Sequence, residues 1–380
     1  MNKIHMVDLH GQYLKIKDEV DAAIAGVLDS CAFINGPEVK EFQRELEEYL
    51  GVKHVIPCGN GTDALQIAMM ALNLQPGDEV ITADFTYAAT AEVIALLKLK
   101  PVLVDVYKDN FSINPRAVEA AITDKTVAIV PVHLFGQCVD MESIMDIAKR
   151  HNLYVIEDVA QAIGAEYTFS DGTVKKAGTI GTIGTTSFFP SKNLGAYGDG
   201  GAIYTDDDEL AKKLKMIANH GQSVQYYHDK IGVNSRLDSI QAAILRIKLT
   251  HLNEYAKARQ EVAAYYDNVL GQYPSIVIPE LCNYTTHVYH QYTLQIVNAD
   301  RNELRKFLAD KGIPSMIYYP LPLHVQKAYL DPRYKDGDFP VTEELCKTVL
   351  SLPIHTEMTK DQLDYIINSV LEFVKPKVLG

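Results

Sequence analysis

Between residues 54 and 205 the chain repeats one pattern, a short run of β-branched and apolar residues followed by a segment with helical periodicity. The runs are HVIPC, EVIT, PVLVDV, VAIVPV, LYVIED, TTSFF and AIYT, and the segments between them include DALQIAMMALN and MESIMDIAKRH. A half-exposed strand alternates apolar and polar residues, whereas a strand covered by helices on both faces is apolar throughout. These runs do not alternate. The pattern predicts an α/β fold with a mostly parallel central sheet. In such sheets ligands collect beyond the carboxyl ends of the strands, so the residues that follow each run are where chemistry is expected.

A length of 380 residues is enough for a large domain and a smaller one. After SRLDSIQAAILRIKLTHLNEYAKARQEVAAYYDNVL, which reads as helix, the character changes to short strands and a helix (HQYTLQIV, NELRKFLADKG). This places a large domain at residues 1–254 and a small C-terminal α/β domain at 255–380. The first fifty residues lead into the large domain, and the absence of a flexible linker predicts tight packing between the two. A net charge of −13 disfavours nucleic acid and anionic membrane as partners, leaving small molecules and room for a local basic pocket. The five cysteines lack C-x-x-C spacing, which argues against disulfides and zinc. No apolar run is long enough to cross a bilayer, and MNKIHMVDLHGQYLKIKDEV lacks a signal-peptide pattern, so a cytoplasmic location is expected.

Three strand ends carry candidate chemistry. In PCGNGTDALQIAM a glycine-rich turn delivers Thr62 and Asp63 to the start of a helix, where free backbone N–H groups suit a phosphate. A tight turn capped by Thr62 accounts for the same residues. In LYVIEDVAQAIGA the strand ends at Glu157 and Asp158, and Asp158 either faces a ligand or caps a following helix. In SFFPSKNLGAYGDGG, Lys192 follows a buried run among small, turn-forming residues; partial desolvation there would lower its pKa and make the amine nucleophilic. A surface lysine paired with Asp199 is the alternative. Together the three offer a phosphate cradle, a carboxylate for a pyridinium nitrogen and an amine for an aldehyde, the three requirements of pyridoxal phosphate.

With FINGPEV, PGDEVIT, FTYAATAEVI, PVHLFGQ, GVNSRLDSIQAAIL and YYPLPLHVQ, these stretches resemble the DegT/DnrJ/EryC1/StrS family of sugar aminotransferases over nearly the whole chain. The resemblance implies a fold type I, aspartate aminotransferase-like enzyme that uses pyridoxal 5'-phosphate (PLP). Matched by position, it implies that Lys192 bonds the cofactor aldehyde, Asp158 pairs with the pyridine nitrogen and Tyr87 stacks on the ring. Thr62, Asp63 and Ser187 would hold the phosphate, Gly61 would also lie at the cofactor, Gln161 would contact the ring hydroxyl, and Asn234 would reach the phosphate of the neighbouring subunit in a homodimer with shared active sites. Some relatives carry histidine in place of the lysine and dehydrate their sugar; Lys192 favours aminotransfer, with a PLP-dependent dehydratase as the alternative.

Within the family, TSFFPSK, GQCVD, HGQ followed by YYH, and GVNSRLDS resemble the subgroup that aminates C3 of UDP-2-acetamido-2-deoxy-3-oxo-glucuronic acid. Glutamate is the donor there, and the products enter bacterial surface polysaccharides such as lipopolysaccharide O-antigen. Neighbouring subgroups aminate dTDP-3-keto-6-deoxyhexoses or UDP-4-keto sugars. Arg236 is a candidate for gripping the acceptor carboxylate, or an ion-pair partner of Asp238 or Asp199. Tyr318, Tyr319 and His324 are candidates for lining the sugar-nucleotide site, and packing between domains explains the tyrosines as well. His133, and His287 with His290 read as strand residues on opposite faces, lack a third ligand, so no metal site is expected.

Overall fold

The computed structural model describes residues 3–374. The apolar runs become β1 (His54–Cys58), β2 (Glu79–Ala83), β3 (Lys100–Val104), β4 (Thr126–Val130) and β5 (Tyr154–Asp158). A separate hairpin of β6 (Glu166–Thr168) and β7 (Val174–Lys176) precedes β8 (Ile183–Ser187) and β9 (Gly201–Thr205). Seven of them form one sheet in the order β1-β9-β8-β5-β4-β2-β3. All its neighbours run parallel except at β9, which is antiparallel to both β1 and β8. The sixth run, TTSFF, starts and ends differently from its expected span: the strand takes in Ile183 and stops at Ser187, before the two phenylalanines.

The continuous apolar character of the strands is explained by their two buried faces. Val55, Ile81, Val102, Ile129 and Val155 pack on one face with Phe42 and Leu46 of the helix Pro37–Leu50. Their chain neighbours Ile56, Val80, Ala128 and Ile156 pack on the other with the helices Gly61–Ala71 and Asp208–Ala218. The period of two along a strand sorts successive residues between these two cores.

C-terminally, a three-stranded antiparallel sheet of Ile276–Val277, Tyr292–Ile296 and Val349–Leu352 has its own core. The expected boundary at 254/255 falls inside one helix, Leu252–Leu270: Leu252 packs in the large core, and Val262, Tyr266 and Leu270 pack in the C-terminal one. Ile4 also joins that second core, so the start of the chain serves both units and is more than a lead-in to the first. Cys58, Cys138, Cys282 and Cys346 are buried free thiols, and Cys31 is exposed. Among the described residues no helix is long and apolar enough to cross a membrane.

Candidate active site

The carboxyl ends of β1, β2, β4, β5 and β8 border one cavity of about 550 Å³. Lys192 reaches it from the loop that joins β8 to β9. Ser187 and Gly201 pair across the base of that loop, Phe188 N donates to Gly200 O (2.7 Å), Ala196 N to Phe188 O (2.8 Å) and Lys192 N to Phe189 O (2.8 Å). A Cβ at Gly195 would stand 2.2 Å from Pro190 O, so only glycine lets the loop fold back this tightly. Lys248, buried beneath, donates from Nζ to Gly195 O at 2.5 Å. The Lys192 ammonium makes no hydrogen bond or ion pair among the described residues, Asp199 included. Burial lowers its pKa from 10.5 to about 8, against the raising pull of Asp158.

Asp158 ends β5, and the alternation of that strand separates it from Glu157. Glu157 turns to the opposite side, where it accepts N–H groups from Gly178 (2.8 Å), Ile180 (2.7 Å) and Gly181 (2.6 Å) and lies 3.0 Å from His133 Nε2. His133 is thereby a structural partner. Asp158 lines the cavity; Oδ1 accepts from Ala160 N (3.1 Å) and Oδ2 from Thr90 Oγ1 (2.9 Å). Burial raises its pKa, and the contacts with Ala160, Thr90 and the Lys192 charge oppose that rise. The residues after it form turns, so the helix-cap alternative falls away.

At the end of β1 the cap of the helix Gly61–Ala71 is Asn60, whose side chain accepts from Asp63 N at 2.8 Å, and Thr62 lies inside the first turn. The Asp63 carboxylate accepts from Ser235 Oγ (2.7 Å), which itself accepts from Gly59 N (2.8 Å). Asp63 therefore braces the turn from behind and does not line the cavity. Gly61, Thr62 and Ser187 do line it, and a Cβ at Gly61 would lie 2.7 Å from Ser187 Cβ. The Gly61 and Thr62 amides carry no hydrogen bond among the described residues. These two free amides, at a helix N-terminus beside two hydroxyl groups, form a cradle for an anion.

Gln161 is held from two sides: Oε1 accepts from Phe135 N (2.8 Å) and Nε2 donates to Tyr319 OH (3.2 Å). Tyr87, 61% exposed, stands with its ring 6.3 Å from that of Tyr319, and Tyr318 completes this wall. Asn60, Phe189, Asp199, His290 and Gln291 also line the cavity, and Thr90 holds Asp158; sequence reading picks out none of these for the site.

Three candidates lie elsewhere. His324 is 2% exposed and engages Asp84 behind the wall. Arg236 lines a separate groove with Lys212, Lys215 and His220, and it makes no ion pair with Asp238, Asp199 or any other carboxylate among the described residues. Asn234 is exposed on the same segment. His287 and His290 precede the strand Tyr292–Ile296 instead of lying in it: His287 stacks on Tyr289 at 3.8 Å and accepts from Tyr289 N. Among the described residues no group of three or more metal-binding side chains comes together.

The cavity thus presents an amine able to add to a carbonyl, a buried carboxylate able to hold a cation, and an anion cradle. The description of the DegT/DnrJ/EryC1/StrS aminotransferase family matches residues 14–371. The chain belongs to this family. Among aminotransferase-family relatives, a Pseudomonas aeruginosa protein named UDP-2-acetamido-2-deoxy-3-oxo-D-glucuronate aminotransferase is 47% identical over 93% of this chain and 95% of its own. A Geobacillus stearothermophilus protein named as a pleiotropic regulatory protein is also 47% identical, over 98% and 99%. The crystal structure of S. venezuelae DesV, in complex with a ketimine intermediate, superposes with a TM-score of 0.94 at 39% identity, covering 99% of this chain and 100% of DesV.

Proposed function

We propose that this protein is a PLP-dependent sugar-nucleotide aminotransferase that moves an amino group from glutamate to C3 of UDP-2-acetamido-2-deoxy-3-oxo-glucuronic acid. One observation carries the proposal: an unpaired Lys192 amine with a pKa near 8 shares a cavity with the buried carboxylate of Asp158. The residues fit PLP. Lys192 would bond its aldehyde, Asp158 its ring nitrogen, Gln161 its ring hydroxyl, Tyr87 its face, and Gly61, Thr62 and Ser187 its phosphate. When bound, PLP supplies an aldehyde that condenses with amines and a ring that accepts electrons released at carbon. Asp158, ionised, would hold a positive charge at the ring nitrogen, and Thr90 and Ala160 fix the direction of its two oxygens. Lys192 Nζ, neutral in a large fraction of molecules near pH 8, takes the proton from Cα of glutamate and delivers it in the reverse half at the sugar.

The acceptor assignment is supported by the Pseudomonas relative and by Arg236. Its guanidinium has no ion-pair partner among the described residues, and an acceptor carboxylate would supply one. Arg236 and Asn234 lie outside the Lys192 cavity, and a homodimer with shared active sites, in which they serve the cavity of a second copy, is the arrangement that would give them a role. The enzyme would work in the cytoplasm and supply amino sugars for lipopolysaccharide O-antigen. A purely regulatory protein, the role suggested by the Geobacillus relative's name, would have no use for the Lys192 and Asp158 arrangement. The test is to add glutamate to PLP-loaded protein and follow the visible band, which should fall as the amino form of the cofactor appears. UDP-2-acetamido-2-deoxy-3-oxo-glucuronic acid should restore the band. Restoration by a dTDP-linked or 4-keto sugar alone would reassign the acceptor, and a product lacking water without gained nitrogen would mark a dehydratase.

A further inference from the structure

Two buried groups stand outside this chemistry. Asp84, the first residue after β2, is 0% exposed, and His324 is 2% exposed. Asp84 Oδ1 accepts the His324 backbone N–H (2.8 Å), Oδ2 lies 2.6 Å from His324 Nδ1, and Asp84 O accepts from Leu323 N (3.3 Å). Burial raises the Asp84 pKa, and the His324 contacts oppose it. A buried carboxylate is costly unless it is paired and hydrogen-bonded, so this contact is a strong constraint on where the two segments lie.

Each partner carries one aromatic wall of the cavity. Asp84 leads into Phe85, Thr86 and Tyr87; His324 follows Tyr318 and Tyr319. The Tyr319 ring lies 5.9 Å from Phe85 and 6.3 Å from Tyr87. Between Tyr319 and His324 the sequence is Pro-Leu-Pro-Leu, and prolines at 320 and 322 fix φ twice, which stiffens the spacer. Downstream, Asp105 accepts from Val341 N (3.0 Å), Thr342 N (2.9 Å) and Thr342 Oγ1 (2.8 Å), so the segment has a second anchor independent of His324. His324 Nε2 has no hydrogen bond; the nearest carboxylate oxygen, Glu343 Oε1, is 3.7 Å away.

We infer that Asp84 and His324 form a positioning pair that sets the gap between Tyr87 and the Tyr318–Tyr319 wall, so that His324 controls acceptor binding without touching the acceptor. The inference rests on the proposed reading of the cavity as the nucleotide-sugar site. Since only Nδ1 of the ring is engaged, asparagine, which can place an N–H donor near that nitrogen, should substitute, and leucine should not.

The experiment compares wild type, His324→Asn and His324→Leu, each loaded with PLP. Binding of UDP-2-acetamido-2-deoxyglucuronic acid, the unreactive 3-hydroxy compound, is measured by calorimetry, with circular dichroism to confirm folding. Each is also made with 3-fluorotyrosine, and the Tyr319 fluorine resonance is assigned with Tyr319→Phe. His324→Asn should bind within about twofold of wild type, and His324→Leu on the order of tenfold more weakly with a displaced Tyr319 resonance, the scale of one hydrogen bond lost from the support of the wall. A folded His324→Leu with wild-type affinity and an unmoved resonance would overturn the inference. Should His324→Leu not fold, Asp84→Asn, which removes the charge opposite Nδ1, decides by the same two readouts. Failure of the wild type to bind the nucleotide sugar would refute the acceptor reading instead, and the Tyr319 resonance alone would then decide the role of the pair.

Discussion

Lys192, on the loop after β8, and Asp158, at the end of the adjacent parallel strand β5, face one cavity, and each favours the charged form of the other. Burial works against both charges. The lysine answers by becoming partly neutral, and the carboxylate is kept usable by Thr90, Ala160 and the lysine itself.

The rate at which the PLP-free protein reacts with PLP should follow the neutral fraction of Lys192. It should climb with pH and level off above about 8, because the folded pKa is lowered from 10.5. In Asp158→Asn the midpoint should move lower still, since the raising pull of Asp158 is gone. Stopped-flow rates across pH check both; a midpoint near that of an ordinary lysine would contradict the first.

Lys192→Ala should lose the bond to PLP that borohydride makes permanent, and turnover with glutamate should fall by about a thousandfold or more, the scale of a missing general base. Mass spectrometry after reduction and a single-turnover assay measure the two effects separately.

Asp158→Asn should have opposite effects on the PLP-free and loaded proteins. The folded pKa of Asp158 is raised, so its carboxylate costs the PLP-free fold stability that is fully missing above that folded pKa and returns as pH falls toward the unfolded value. The PLP-free variant should melt higher than wild type at neutral pH, with the gap closing in acid. Loaded with PLP, it should be the slower enzyme, by roughly a hundredfold. Parallel melting curves at several pH values and glutamate kinetics test this.

Gly61→Ala would force a methyl group to 2.7 Å from Ser187 Cβ, and either the helix start or the end of β8 must give way. Overpacking of this kind costs roughly 1–3 kcal/mol. Phosphate-dependent loading should weaken as well, visible as a raised PLP dissociation constant beside a normal one for pyridoxal lacking the phosphate.

Arg236→Ala should raise the KM for a carboxylate-bearing acceptor by about tenfold to a hundredfold, leaving the glutamate half-reaction in place. An acceptor without the carboxylate should be indifferent to the change. Equal losses for both acceptors would assign Arg236 to the fold.

The sheet was legible because burial on both faces writes itself into uninterrupted apolar runs, and its strand ends marked where Lys192, Asp158 and the Gly61 turn meet. Local chemistry at those ends was less legible. Thr62 and Asn60 are both good caps, and only the backbone geometry selects Asn60. Thr90, His290 and Gln291 enter the site from positions distant in sequence, with no local signal for the carboxylate or cavity they meet. His324 looked like a ligand-facing residue because it follows two tyrosines that do line the cavity; the stiff Pro-Leu-Pro-Leu spacer carries it past the wall to Asp84.

The reversed direction of β9 sets the character of the two sides of the pocket. Because β9 runs against β8, the loop bearing Lys192 leaves and re-enters the same sheet and is closed at its base, so the Lys192 amine rides on a loop pinned at both ends to neighbouring strands. The facing tyrosines arrive on a long excursion from the C-terminal unit, fastened at a few points. One side of the cavity is thus built into the central sheet, and the other hangs from it by side-chain contacts such as that of Asp84 with His324.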